Sequence, residues 1–153
     1  MRVSTQFPIA VHSLMILAYS PEIRVTSDLI AESAGCNAVI VRNIFSKLKK
    51  ASLISVNRGT GGTLLAKPPE EISIWDIYTA VESPKTDELF KFHENMSKTC
   101  PVGSHFHGIL ISHLDKAVEA MKIELSGVTL AALVNELKDN VNQNADYTER
   151  GKH

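Results

Sequence analysis

VTSDLIAESAGCNAVIVRNIFSKLKKASLISVNRGTGGTLLA, residues 25–66, is the stretch whose reading decides the fold. Thr26 or Ser27 can cap a helix with Leu29, Ile30 and Ala34 on its apolar side, and Gly35 can end it. After almost no connection, Asn37 can cap a second helix, in which Ile40, Val41, Ile44, Phe45 and Leu48 recur at steps of three and four. Its other face shows Asn37, Ala38, Arg42, Asn43, Ser46, Lys49 and Lys50, which are polar, small or basic. Leu53-Ile54-Ser55-Val56 and Thr63-Leu64-Leu65-Ala66 then read as two strands, joined by the glycine-rich turn Asn57-Arg58-Gly59-Thr60-Gly61-Gly62. Two short helices across a tight glycine turn, followed by a hairpin, form the pattern of a winged helix-turn-helix.

That pattern carries a physical expectation. An α-helix has the right width for the DNA major groove and presents its N-terminal side chains to base edges. Here that end is Asn37, Ala38 and Val39, with Arg42 and Asn43 one turn on. Arginine can donate two hydrogen bonds to guanine, and asparagine pairs with adenine. Lys47, Lys49 and Lys50 suit phosphates, which add affinity but no sequence information. In the hairpin, Gly59, Gly61 and Gly62 let the tip approach a sugar-phosphate wall, and Arg58 could enter the minor groove, where negative potential concentrates.

Outward from this unit, Ser4 and Thr5 precede a helix with Pro8 in its first turn and Phe7, Val11, Leu14, Met15 and Ala18 at helical spacing, stopped by Ser20-Pro21. Ser73 caps a later helix with Ile74, Ile77, Tyr78 and Val81, stopped at Ser83-Pro84. Residues 85–104 show no clear period. A long helix is expected over residues 105–125, where Phe106, Leu110, Leu114, Ala117, Met121 and Leu125 recur at steps of four, four, three, four and four. Such a rod is about 31 Å long, with a narrow seam suited to a partner helix. A short helix over residues 129–138 follows, and the polar chain from Asp139 reads as a tail. The expected division is a winged helix-turn-helix domain over 1–82, a connecting or sensor segment over 83–104, dimerisation helices over 105–138 and a flexible tail over 139–153. The fold class is mainly α, with a small β-hairpin wing and a long C-terminal dimerisation helix.

Charge points the same way. The 153 residues carry a net charge of −1, yet residues 1–67 hold eight Lys/Arg against three acids, so the front is +5 and the remainder −6. The front is suited to a polyanion and the back is not. No apolar run approaches the ~20 residues of a membrane span, and the N-terminus lacks the marks of a signal peptide, so a cytoplasmic protein is expected. A metal-binding His pair on one helix face, a phosphate loop and a Gly-x-Ser-x-Gly elbow are all missing from the sequence, so an enzyme is not expected.

The opening Met1-Arg2-Val3-Ser4-Thr5, the run Leu29-Ile30-Ala31-Glu32, and Leu53-Ile54 followed by Arg58-Gly59-Thr60-Gly61-Gly62 resemble the Rrf-two family of bacterial regulators. So do Leu65-Ala66-Lys67-Pro68, and Asp76-Ile77-Tyr78 leading to Ala80-Val81-Glu82. The resemblance covers roughly residues 1 to 135. It implies a winged-helix homodimer whose long C-terminal helix crosses that of its partner, with the helix from Asn37 in the major groove and Arg58 in the minor groove. Cluster-binding members carry three close cysteines after the Ala-Val-Glu segment, because an iron–sulfur cluster is held chiefly by thiolates. This chain has only Cys100 there, so no cluster and no other cofactor is expected.

Two cysteines are too few for a disulfide framework. Cys36 lies just before the recognition helix, where the dipole favours a thiolate, and Cys100 lies ahead of the long helix. Either could sense oxidants, and a Cys36–Cys100 bridge between subunits would change the spacing of the reading heads. Both could equally be inert. Zinc held by Cys100 with His105 and His107, or with His93, is the lesser option, because residues two apart on a helix point different ways. The expected function is a sequence-specific transcriptional regulator, a repressor in its simplest form, that binds a palindromic operator on double-stranded DNA as a homodimer with no membrane attachment. The alternative is a winged-helix protein-interaction module with no DNA target.

Overall fold

The computed structural model describes residues 4–57, 59 and 62–150, without the side chains of 145–150. Helices α1 (Gln6–Tyr19), α2 (Ser27–Ala34) and α3 (Ala38–Lys50) lead into the hairpin β1 (Ile54–Asn57) and β2 (Gly62–Leu65). A 3-10 turn (Pro69–Glu71), α4 (Ile74–Val81), the single turn α5 (Thr86–Leu89), α6 (Pro101–Ser126) and α7 (Leu130–Arg150) follow.

The local rules operate as the sequence suggests. The Thr26 hydroxyl accepts from Leu29 N–H, and Asn37 Oδ1 accepts from Val39 N–H at 2.8 Å, each satisfying an orphan donor at a helix start. Ser73 and Asp76 form a reciprocal capping box on α4. Gly35 ends α2 at φ +64, and Cys36 N–H returns to Ala31 C=O at 3.0 Å. That left-handed turn swings α3 across α2 within three residues, and a side chain at position 35 would strain it.

One core joins these elements. Leu14, Ile30, Val41, Ile44, Leu48, Ile72, Ile77 and Leu130 are completely buried together, drawn from α1, α2, α3, α4 and α7 and, for Ile72, from the link between the 3-10 turn and α4. At about 1.5–3 kcal/mol for each large aliphatic side chain, this burial outweighs any single cap or ion pair. The C-terminal chain is stitched in by backbone: Ile74 N–H bonds Val128 C=O and Leu130 N–H bonds Ile72 C=O, at 2.9 and 2.8 Å.

Four features differ from the sequence expectation. α6 begins at Pro101, not His105, because proline at a first helical position loses no hydrogen bond, and Cys100 becomes the N-cap residue. α7 runs to Arg150, past the polar boundary expected at Asp139. Residues 139–150 hold no proline or glycine to stop a helix already nucleated on the core. The start of α7 packs with α1, with Leu130 and Val134 buried, so it belongs to the first domain's core and does not simply extend the dimerisation region. Finally, Ile40 leaves the inward stripe of α3 and is 39% exposed, since the stripe centres on Val41, Ile44, Phe45 and Leu48.

Candidate nucleic-acid interface

The burial of Val41, Ile44, Phe45 and Leu48 fixes which way the rest of α3 faces. At about 100° per residue, the line directly opposite the core is Val39, Asn43, Ser46 and Lys50, with Arg42 and Lys49 on one flank and Ile40 and Lys47 on the other. All eight are exposed. Ala38 is half-buried, and the Asn37 side-chain oxygen is held by its cap.

Two basic side chains already have partners. Arg42 Nη2 lies 3.6 Å from Asp28 Oδ1 at the head of α2. Both groups are largely exposed, so the pair contributes about 0–1 kcal/mol and the guanidinium is free to exchange it for a better acceptor. Lys47 is different: its ammonium donates to Gln6 Oε1 at 2.6 Å and to Val81 C=O at 3.3 Å, tying α3 to α1 and α4. This places Lys47 away from the Lys50 line and gives it a structural task.

The wing is fixed beside this helix. Its register pairs Ile54 with Leu65, Ser55 with Leu64, Val56 with Thr63 and Asn57 with Gly62. Thr63 N–H also donates to Val25 C=O at 3.2 Å, so the hairpin is pinned to the chain that enters α2. Gly62 permits that approach: at φ +68, a Cβ there would sit 3.0 Å from Val25 C=O and 3.0 Å from Arg24 Cγ. Its glycine is therefore required by the chain's own packing, beyond any approach to a phosphate. Gly59 has φ +112 and faces open space. Arg58 and Gly61 lie outside the described residues. Arg24, which the sequence reading did not single out, reaches Gly59 C=O with Nη2 at 3.4 Å and adds a cation to the wing. Its signal is visible only in three dimensions, because 35 residues separate the two groups.

The thiols and histidines do not converge on one centre, although His93 and Cys100 line one hollow with Met96 and Phe106. Cys36 is half-buried and packs against the core, whereas Cys100 is exposed at the head of α6. The N–H groups of Gly103 and Val102 hold the Cys100 thiol below its ordinary pKa by bonding the thiolate. His105 Nδ1 faces Pro101 C=O at 2.9 Å, while His107 packs against Phe92 with the rings inclined at 60° and lies 3.7 Å from Asp87. His93 rests on Phe106, with ring centroids 5.5 Å apart. Among the described residues, no three of His, Cys, Asp and Glu gather as a metal site.

The expected dimer seam is partly covered by its own chain. Phe106, Leu110 and Leu114 are half-buried and face residues 89–93, Leu125 packs on the core, Met121 is half-buried and Ala117 is exposed. Among the described residues of α6, the large apolar side chains most open to solvent are Val102 (71%), Ile109 (61%) and Ile123 (66%), which stand about 90°, 110° and 150° round the helix from the middle of that seam.

Residues 3–136 match the family profile described as Rrf2, iron-dependent transcriptional regulator. YwnA of Bacillus subtilis (strain 168), provisionally named an HTH-type transcriptional regulator, is 34% identical over 135 residues, covering 88% of this chain and 98% of YwnA. The structure of T. potens IscR superposes with a TM-score of 0.69 at 25% identity, covering 92% of this chain and 90% of that one. CymR, the global cysteine regulator of B. subtilis, gives a TM-score of 0.62 over 88% of this chain and 97% of its own, and at 21% identity it speaks to the fold alone. Among the described residues no helix is long and apolar enough to cross a membrane. With the profile spanning most of its length, the chain belongs to the Rrf2 (Rrf-two) family of winged-helix transcriptional regulators.

Proposed function

We infer that the chain binds a palindromic operator as a homodimer, with α3 in the major groove and the wing along the adjacent minor groove. The observation that carries this reading is the outward line of α3. It bears Asn43 and Lys50 with Arg42 and Lys49 beside it, on a helix whose opposite face is wholly buried. Arg42 and Asn43 are the base readers, Lys49 and Lys50 the phosphate contacts. Arg58, Gly59 and Gly61 form the wing contact, with Arg24 supporting it. Repression follows from occupancy, since a dimer on a promoter excludes polymerase.

The homodimer rests on α6, a helix of 26 residues with no buried residue. A helix with Val102, Ile109 and Ile123 open to water is supported by a second copy that covers them. A second apolar surface continues from it. Leu125 of α6 lines a groove of about 910 Å³ walled by Phe7, Met15, Ile16, Tyr19 and Leu133. A two-fold partner that covers α6 closes this groove as well.

The donor set does not fit an iron–sulfur cluster. Cys100 is the lone cysteine near α6, and clusters need several thiolates. Signal reception is assigned instead to the thiols, with Cys100 the more reactive because it is exposed and its thiolate is favoured. In a Cys36–Cys100 bridge, the two thiols give up two protons and two electrons to the oxidant.

The test is selection of bound duplexes from a random pool, followed by titration at several salt concentrations. A two-fold symmetric site, with log affinity falling steeply against log salt, is the expected result. A chain that binds no duplex would leave the protein-interaction alternative, and equal affinity for all duplexes would remove the specific operator. Peroxide response should disappear in Cys100→Ser and in Cys36→Ser alike, because the bridge needs both thiols. If both variants respond like the parent, thiol control is wrong.

A further inference from the structure

Two large aliphatic side chains interrupt an otherwise polar surface. Val39 is 55% exposed and Ile40 39%, while every other large apolar residue of α3 is buried. A solitary exposed aliphatic residue is ordinary. This pair is adjacent, in the first turn of the helix, beside the Asn37 cap. It is followed one turn on by Arg42 and Asn43, with Lys50 about 15 Å further along the same outward line. A helix face that carries Arg42 beside the pair and Lys49 and Lys50 at its far end favours a polyanionic partner over an apolar protein patch. The apolar group that the major-groove edge of DNA offers is the C5 methyl of thymine.

We propose that Val39, with Ile40 beside it, reads thymine methyl groups, so that thymine at fixed positions determines the operator half-site. This rests on the operator reading above and adds the identity of a base feature. Val39 and Asn43 stand one turn apart on the outward line, with Cβ atoms about 5–6 Å apart. Successive bases on a strand rise by about 3.4 Å, so the two side chains span between one and two steps. Asn43 pairs with adenine N6 and N7. The half-site therefore carries an adenine and a thymine within two steps of each other, beside the guanine taken by Arg42. Ile40, about 100° round the helix, meets a methyl on the flank and contributes less.

The experiment uses the full chain and the duplex it selects from a random pool, copied with deoxyuridine at one thymine at a time. Each copy lacks a single methyl and keeps every hydrogen-bonding group. One or two positions per half-site should lose about three- to fivefold in affinity, the worth of one buried methyl. In Val39→Ala, the penalty at the main position should vanish while the salt slope stays the same, because no phosphate contact changes. Alanine favours the helix, so this variant should fold. A duplex indifferent to deoxyuridine everywhere, yet still selected, overturns the proposal and leaves the operator reading standing. A penalty that survives both Val39→Ala and Ile40→Ala, or a variant that sediments as a monomer, also overturns it. A chain that selects no sequence overturns both readings.

Discussion

α3 and α6 are both amphipathic helices, but they end in opposite situations. α3 buries four side chains in its 13 residues, and α6 buries none in 26. The first is an internal beam whose outer face is left for a ligand. The second carries apolar residues on more than one side, with its own chain covering only part of them, through Phe92 against Phe106 and the core against Leu125. A hydrophobic period therefore states that a helix will bury a face, but not which molecule supplies the cover.

The sharpest way to break the comparison is to cut both helices alike. Leu48→Ala should cost about 2–5 kcal/mol of folding stability by thermal or urea unfolding, because Leu48 is completely buried. Ile109→Ala should cost well under about 1 kcal/mol in the isolated subunit. Ile109→Glu together with Ile123→Glu should instead release monomers in sedimentation with the helical circular dichroism of the first domain retained. If Ile109→Glu/Ile123→Glu remains dimeric, α6 is not the interface.

Next in size, Gly62→Ala should destabilise the fold by about 1–3 kcal/mol, through a left-handed φ and the close Val25 carbonyl. Operator affinity should fall with it as the wing loses its seat, which a filter-binding titration reads. A melting temperature like the parent's would show that the wing tolerates the strain.

A smaller effect separates two lysines three residues apart on α3. Lys50→Ala should weaken all duplexes about equally and lower the salt slope by about 1. Lys47→Met should leave that slope alone and remove about 0.5–1.5 kcal/mol of stability with its bonds to Gln6 and Val81. Slopes that fall equally in both variants would return Lys47 to the DNA face.

The mildest test concerns pH at the head of α6. The folded Cys100 pKa is lowered, so half-maximal alkylation by iodoacetamide should come at a pH below that of an ordinary thiol. Unfolding in urea should move the midpoint back up. Identical midpoints in the folded and unfolded chains would remove the role of the Val102 and Gly103 N–H groups.

Much of the reading head was legible before any coordinates. Gly35 as a left-handed stop, Asn37 and Ser73 as caps and the hairpin around residues 57–62 follow from local chemistry, which acts over three or four residues. Spacing alone places Ile40 inward, because steps of three and four admit a stripe one residue wider than the one that packs. Arg24 on the wing, and Lys47 on Gln6 and Val81, were not legible, since their partners lie 35, 41 and 34 residues away.

By itself the sequence determined the winged helix-turn-helix, the basic front half and the single thiol ahead of the long helix. Periodicity, capping and composition are properties of neighbours along the chain. The tertiary structure alone decided that α7 returns to the first domain's core, that Gly62 serves Val25, and that Val39 and Ile40 stand in solvent beside Arg42 and Asn43. Those outcomes depend on which surfaces compete for the same space once the core has closed, and no local window contains that competition.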